Sequence, residues 1–287
     1  MPAEDLRHHR LDIVSAAQAV DLNVLQLAFA ALKKHVAFGR LHVFTAQRNL
    51  RHFRRVLGPE VDLIDEDTFI PGMNLKALRA LPLPGFPQGA GWYFQQLLKL
   101  QFCFSQPEDD YYLIWDADTV PLRPLEFFDE KGAMLFTVAD ECHLPYFATY
   151  RKLLGEEPRR EFSFISQYIP VRKSIVREML GKIDHHFSGK EDWAWKIMRN
   201  LEGAHVNLFS EYEMLGHYVK NHYAEQAVFR RLPWLRTGTR AVGGIPSAKD
   251  LERLGDEYAF AAFEASERVP RRWLRQFRAW WRGLNAP

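Results

Sequence analysis

Apolar residues fall into two rhythms along the first half of the chain. "LDIVSA" (Leu11–Ala16) is a short, nearly continuous apolar run, as a strand buried on both faces requires. "NVLQLAFAALKKH" (23–35) repeats Leu and Phe at three- and four-residue intervals and predicts a helix. The alternation continues with a strand at "RLHVFTA" (40–46), a basic helix over about 49–57 and a strand at "EVDLIDED" (60–67). A Pro- and Gly-rich loop, "LPLPGFPQGAG" (81–91), leads into the helix "WYFQQLLKLQFCF" (92–104) and the strand "YYLIWDAD" (111–118). Strands alternating with helices predict a mainly parallel α/β sheet, which takes ligands beyond the carboxyl ends of its strands.

Farther on the pattern is mixed. "GAMLFTVA" (132–139) and "FSFISQYIPV" (162–171) predict strands, and "KSIVREMLGKI" (173–183) and "EDWAWKIMRNL" (191–201) predict helices. No repeat or linker interrupts residues 1–245, which are expected to form one domain. "GGIPSAKD" then opens a C-terminal helical extension, 246–287.

Composition narrows the class. The 287 residues are 47% hydrophobic and 26% charged, as in ordinary globular proteins. A formal net charge of +2 argues against a nucleic-acid footprint over the whole surface. Aromatics at 14% suit either a well-built core or a cleft for sugars or bases. Cys103 and Cys142 form no CxxC pair, which fits a reducing compartment and excludes a disulfide scaffold. The N-terminus "MPAEDLRHHR" has no apolar core of a secretory signal, and no apolar run reaches the roughly 18–20 residues that span a bilayer. A cytoplasmic protein is expected.

The tail qualifies that expectation. Trp273, Phe277, Trp281 and Leu284 recur at helical spacing, with Arg271, Arg272, Arg275, Arg278 and Arg282 between them. Such a helix suits an anionic membrane surface, here the inner face of the cell membrane, or else packs on the domain with its arginines solvated.

Candidate chemistry concentrates in "YLIWDADTVP". Asp116 and Asp118 are two apart at a strand end, so both side chains can face one way. Carboxylates so close repel unless one is protonated or a cation bridges them, and Mn2+ or Mg2+ is the natural bridge to a phosphate. A plain capped turn is the alternative.

Four segments resemble GT-A-fold glycosyltransferases, close to bacterial families predicted to build capsule, exopolysaccharide or lipopolysaccharide. They are "GWYFQQLLKL" (91–100), "YLIWDADTVPLRPL" (112–125), "FSFISQYIPVRKSIVREML" (162–180) and "FSEYEMLGHYV" (209–219). The resemblance covers roughly residues 10–245 and implies a GT-A-like, Rossmann-related sheet. It also implies transfer of a sugar from a nucleotide-sugar donor, a UDP-sugar on general frequency, to a glycan or lipid-linked acceptor. On this likeness Asp118 is a direct metal ligand, Asp116 reaches ribose or the metal, and Ser15 lies where the base rests. Lys99, which shares a helix face with Gln95, lies near the phosphates.

The same resemblance implies a catalytic base at a helix start, since inverting enzymes of this fold use a carboxylate there to deprotonate the acceptor. Asp192, in "SGKEDW", is preferred, with Glu211 and Glu213, in "SEYE", as rivals. Ser188 with Glu191 and Ser210 with Glu213 also read as capping boxes. The resemblance also implies a C-terminal histidine in the metal shell, for which His222, or His217, is the candidate by order, although a lone His is commonly structural. A sugar nucleotidylyltransferase is a competing reading, but "VSAAQAVDLN" (14–23) lacks the Gly-rich basic loop that such enzymes carry after their first strand. A non-catalytic peripheral membrane protein retaining the fold is another.

Overall fold

The computed structural model describes residues 6, 9–82, 89–105, 111–203 and 207–267. The first half runs β1 (Leu11–Ala16), α1 (Leu22–His35), β2 (Phe38–Thr45), α2 (Gln47–Leu57), β3 (Val61–Asp65), α3 (Glu66–Phe69), α4 (Leu75–Arg79), α5 (Ala90–Gln101) and β4 (Tyr111–Trp115). Next come β5 (Thr119–Pro121), β6 (Met134–Thr137), α6 (Leu144–Leu154), β7 (Tyr168–Arg172), α7 (Lys173–His186), α8 (Trp193–Arg199) and α9 (Glu211–His222). The chain closes with β8 (Ala227–Arg230), β9 (Trp234–Leu235), α10 (Gly238–Val242), α11 (Ala248–Gly255) and β10 (Phe260–Ala262).

Among the described residues the central sheet has the order β3-β2-β1-β4-β7. Its first four strands are parallel, and β7 closes the edge antiparallel to β4. The fold is therefore mixed α/β with a mainly parallel sheet flanked by helices, as expected. Strand order reverses beside β1, with β2 on one side and β4 on the other, which in such sheets opens a crevice past the strand ends. Two small sheets, β5-β10-β9 and β6-β8, complete the body.

Burial explains the strand sequences. Tyr112, Leu113, Ile114 and Trp115 of β4 are fully buried, as are Ile13 and Val14 of β1. Helix α1 serves two cores, which accounts for its wide apolar surface. Leu25, Phe29 and Leu32 join the main core, while Val24 and Ala28 pack with Val120, Leu254, Ala261 and Phe263 in a smaller one.

Three boundaries differ from the sequence pattern. The third strand ends at Asp65, whose carboxylate accepts from the Asp67 amide and starts α3. Within 162–171 only β7 is strand, because the backbone of Gln167 turns through a φ of 69° just before it. Helix α8 starts at Trp193, capped by Asp192 rather than Ser188, and Glu191 pairs with Arg199 instead. The described part of the C-terminal extension is not purely helical. Its strand β10 pairs with β5 and β9, bonding it into the main body. Arg271 to Arg282 lie outside the described residues. Among those described, no helix is long and apolar enough to cross a membrane.

Candidate functional site

A fully buried β4 must shed its apolar character abruptly at Asp116, and the turn that follows is built to permit this. The Trp115 indole donates to the Thr119 carbonyl (2.8 Å), and the Thr119 amide donates to the Asp116 carbonyl (3.0 Å). The Asp116 amide donates to the Gln167 carbonyl (2.9 Å), and the Asp118 carbonyl accepts from the Phe263 amide (2.8 Å). With these main-chain bonds made, Asp116 and Asp118 line a cleft of about 680 Å³. The cleft opens where β1, β2 and β4 end and is walled by α5 and the start of α9.

One lysine organises the wall. Lys99 is 2% exposed, and its Nζ lies 2.5 Å from Asp116 Oδ1 and 2.9 Å from Glu211 Oε1. Burial alone would discharge it, but Asp116 and Glu211 outweigh that and hold the ammonium above its ordinary range. Burial pushes the Glu211 carboxyl up against the pull of Lys99, and Asp116 adds to the push. Helix α5 fixes the neighbourhood at three-residue intervals. Tyr93 accepts from the Leu208 amide (2.8 Å), and the Gln96 side chain accepts from the Glu211 amide (2.9 Å). The Lys99 ammonium also lies over the Tyr212 ring at 5.3 Å.

Asp118 makes no ion pair among the described residues. Burial, then Asp116, Glu264 and Asp21, push its carboxyl up to about 8, with Lys99 only partly opposing. Asp21 and Glu264 line the same cleft, so acids outnumber cations at this end. The far end carries Glu66, pushed to about 7 by burial and by Asp67 and Asp65, with Arg48 and Arg79 opposing.

The structure brings Gln95, Lys99, Asp116, Asp118 and Glu211 to one cleft. It places the other candidates elsewhere. Ser15 is buried beneath the floor, its hydroxyl donating to the Trp115 carbonyl (2.6 Å). Asp192 spends its carboxylate on the Ala194 and Trp195 amides at the start of α8 and does not line the cleft. His222 lies 2.9 Å from both Glu156 oxygens, also away from the cleft.

Glu213 points inward, only two residues from Glu211. It accepts from the Ser163 hydroxyl (2.6 Å) and the Phe164 amide (3.3 Å), and lies 3.1 Å from His217 Nε2. His217 is fully buried among Phe147, Tyr150 and Phe164. Gly216 completes this seat, since a Cβ there would come within 2.0 Å of the Phe164 ring. Gln96, Gln167 and Glu264 escaped sequence reasoning. Of these only Gln96 carried a signal, three residues before Lys99 on one helix face.

Among the described residues no three His, Cys, Asp or Glu side chains converge as a metal cage. The donor set nonetheless fits a hard cation of the Mg2+ or Mn2+ kind. Such ions commonly take one or two carboxylates and complete their shell with water and substrate phosphate. Asp116 and Asp118 supply that pair, and the excess acid around Asp118 calls for added positive charge.

A family model described as "Family of unknown function (DUF6492)" matches residues 11–235. No curated protein matches the chain. Among solved structures it is similar to the galactosyltransferase LgtC in complex with donor and acceptor sugar analogs, at 13% identity and a TM-score of 0.47. That match covers 88% of this chain and 87% of the other. Mouse xyloside xylosyltransferase 1, apo form, matches at 11% identity and a TM-score of 0.48, over 91% of this chain and all 100% of the other. The bifunctional glycosyltransferase WbbM in apo form matches at 11% identity and a TM-score of 0.43, over 91% of this chain and 46% of the other. These are distant likenesses, and the functional reading rests on the side chains of the cleft.

Proposed function

This chain belongs to the DUF6492 family, and from its cleft we propose that it is a metal-dependent glycosyltransferase. It moves a sugar from a nucleotide-sugar donor to a glycan or lipid-linked acceptor. One observation carries the reading: the acid excess around Asp118, at the crevice where this kind of sheet takes its ligand. A diphosphate brought with a divalent cation would offset that excess.

In the reaction the bond from the anomeric carbon to the diphosphate oxygen breaks, and a bond to an acceptor hydroxyl forms as that hydroxyl loses its proton. When bound, the cation stabilises charge growing on the departing diphosphate. Asp116 and Asp118 would hold it. Lys99 fixes Asp116 and Glu211 in one geometry and adds positive charge to the cleft wall. Of the three candidate bases only Glu211 lines the cleft. Its carboxyl, raised by burial, makes the stronger proton acceptor, and we assign it the acceptor proton.

A bacterial surface polysaccharide is the proposed product, on the resemblance of the four sequence segments. The basic tail would keep the enzyme at the inner face of the cell membrane, beside a lipid-linked acceptor.

The test is thermal unfolding with UDP, GDP or CMP, with and without Mn2+, in wild type and Asp118→Ala. One nucleotide should stabilise the wild type only with metal, by about 2.7 kcal/mol at a hundredfold excess over Kd. The variant should not respond. A flat wild-type response to every nucleotide would overturn the reading and leave the aspartates as a structural turn.

A further inference from the structure

Helix α2 carries charge that the chemistry of the cleft does not use. Its sequence, "QRNLRHFRRVL", holds four arginines and no acid. Phe53 and Leu57 turn inward to the main core, and Arg54 donates to the Gly58 and Val61 carbonyls (3.0 and 2.6 Å). Arg48, Arg51, His52 and Arg55 follow one another at helical spacing, on the face opposite the buried pair. All four are exposed, in a row about 10 Å long. Among the described residues, Arg51, His52 and Arg55 make no hydrogen bond, ion pair or ring contact. Exposed arginines elsewhere do find acids. Arg151 pairs with Glu157, Arg199 with Glu191, Arg231 with Asp140 and Arg240 with Glu267. Like charges three and four residues apart weaken a helix, so nothing within the fold rewards this row. It suits an anion from outside the chain.

The row starts at the cleft. Arg48 lines the far end with Arg79, while Arg51 and Arg55 lie beyond the lining. Ala265 and Ser266 line the same cleft just before the described chain ends at Glu267. The arginine- and tryptophan-rich sequence that follows therefore departs from the same opening. Phosphate is an anion that arginine matches well. A net charge of +2 and so short a row weigh against a nucleic acid, whereas a bilayer offers phosphates across a whole plane. We propose that the face of α2 bearing Arg48, Arg51 and Arg55 docks on the anionic headgroups of a membrane. It makes a second contact beside the tail and turns the opening of the cleft toward the bilayer. The inference stands on this face and its placement, whatever reaction the cleft performs.

The experiment sediments the full chain with phosphatidylcholine vesicles, with and without phosphatidylglycerol. Wild type should bind the anionic vesicles alone, and more weakly as salt rises. In Arg51→Gln/Arg55→Gln the affinity should fall about twentyfold, since each arginine near such a surface contributes roughly fivefold. Glutamine keeps the helix and removes repulsion, so Tm should not fall, and the thermal response to nucleotide with Mn2+ should match wild type. Arg51→Lys/Arg55→Lys should bind as wild type does, because attraction to a charged surface counts charge rather than side-chain shape. Undiminished vesicle binding by the glutamine variant would overturn the proposal and leave the tail as the contact. Equal loss in the lysine variant would overturn it too, as would failure of wild type to bind anionic vesicles. Stabilisation of wild type by inorganic phosphate alone, absent from the glutamine variant, would make the face a small-anion site instead. Tighter binding to single-stranded RNA than to vesicles, lost in the same variant, would replace the membrane with a nucleic acid.

Discussion

Two parts of the central sheet place a basic side chain between two carboxylates, and only one of them faces an open cleft. Across β1, β2 and β3, His42 sits between Asp12 and Asp62, at 3.1 and 2.9 Å. Asp12 also accepts from the Arg40 amide (2.8 Å). Burial pushes its carboxyl up, but His42 and that amide win and hold it below its ordinary value. No carboxylate is left over. At the end of β4, Lys99 likewise lies between Asp116 and Glu211, but there Asp118, Asp21 and Glu264 bring further carboxyl groups to the same cleft. Paired carboxylates in a fold are thus poor evidence of chemistry. A surplus of them facing an open cleft is far better evidence.

The sharpest way to break the comparison is Lys99→Met, which strands two carboxylates in the cleft wall. Loss of one partner from a buried ion pair should cost about 3–5 kcal/mol in urea unfolding. Nucleotide binding should go with it. A loss below about 1 kcal/mol would show that the acids simply protonate and that Lys99 organises little.

Asp118→Asn should act in the opposite direction. The folded-state value of about 8 lies above the ordinary 3.8, so the folded protein holds this proton more tightly than the unfolded chain. The stability this contributes is full below pH 4 and drains as pH rises to about 8. Wild type without nucleotide should therefore lose up to about 1.4 kcal/mol per pH unit across that window, and the variant should lose less. Identical slopes would mean that the surplus charge is already neutralised.

Asp12→Asn should give the smallest change. A carboxyl held low stabilises the fold above its unfolded value and loses that contribution as pH falls through the folded one. The variant should be weaker by about 1 kcal/mol at neutral pH, with the gap closing below about pH 4 and nucleotide response intact. A changed nucleotide response would erase the distinction between the two clusters.

Much of the frame was legible because buried parallel strands and amphipathic helices leave periodic marks. The aspartate pair was legible because "YLIW" cannot run into two acids without a reason. Burial of polar residues leaves no such mark. Lys99, Glu211, Glu213 and His217 carry polar side chains that sequence alone does not place inside or outside, yet all are 3% exposed or less. Capping is equally ambiguous. "SGKED" and "SEYE" share one pattern, but only Ser210 caps its helix, and Glu213 does not bond back to it because Ser163 and Phe164 claim its carboxylate. Asp192 looked like a base by position, and a helix start needed it more. The strain at Gln167 leaves no trace in residue identity.

The amide of Phe263 grips the carbonyl of Asp118, and Glu264 follows it into the cleft. Because the chain emerges from the ribosome in order, the aspartate turn is made long before the strand that clamps it. A nascent chain released at residue 245 would hold both aspartates without their clamp. The clamp on the aspartate turn is thereby made only once synthesis has passed β10, and a prematurely terminated product would lack it.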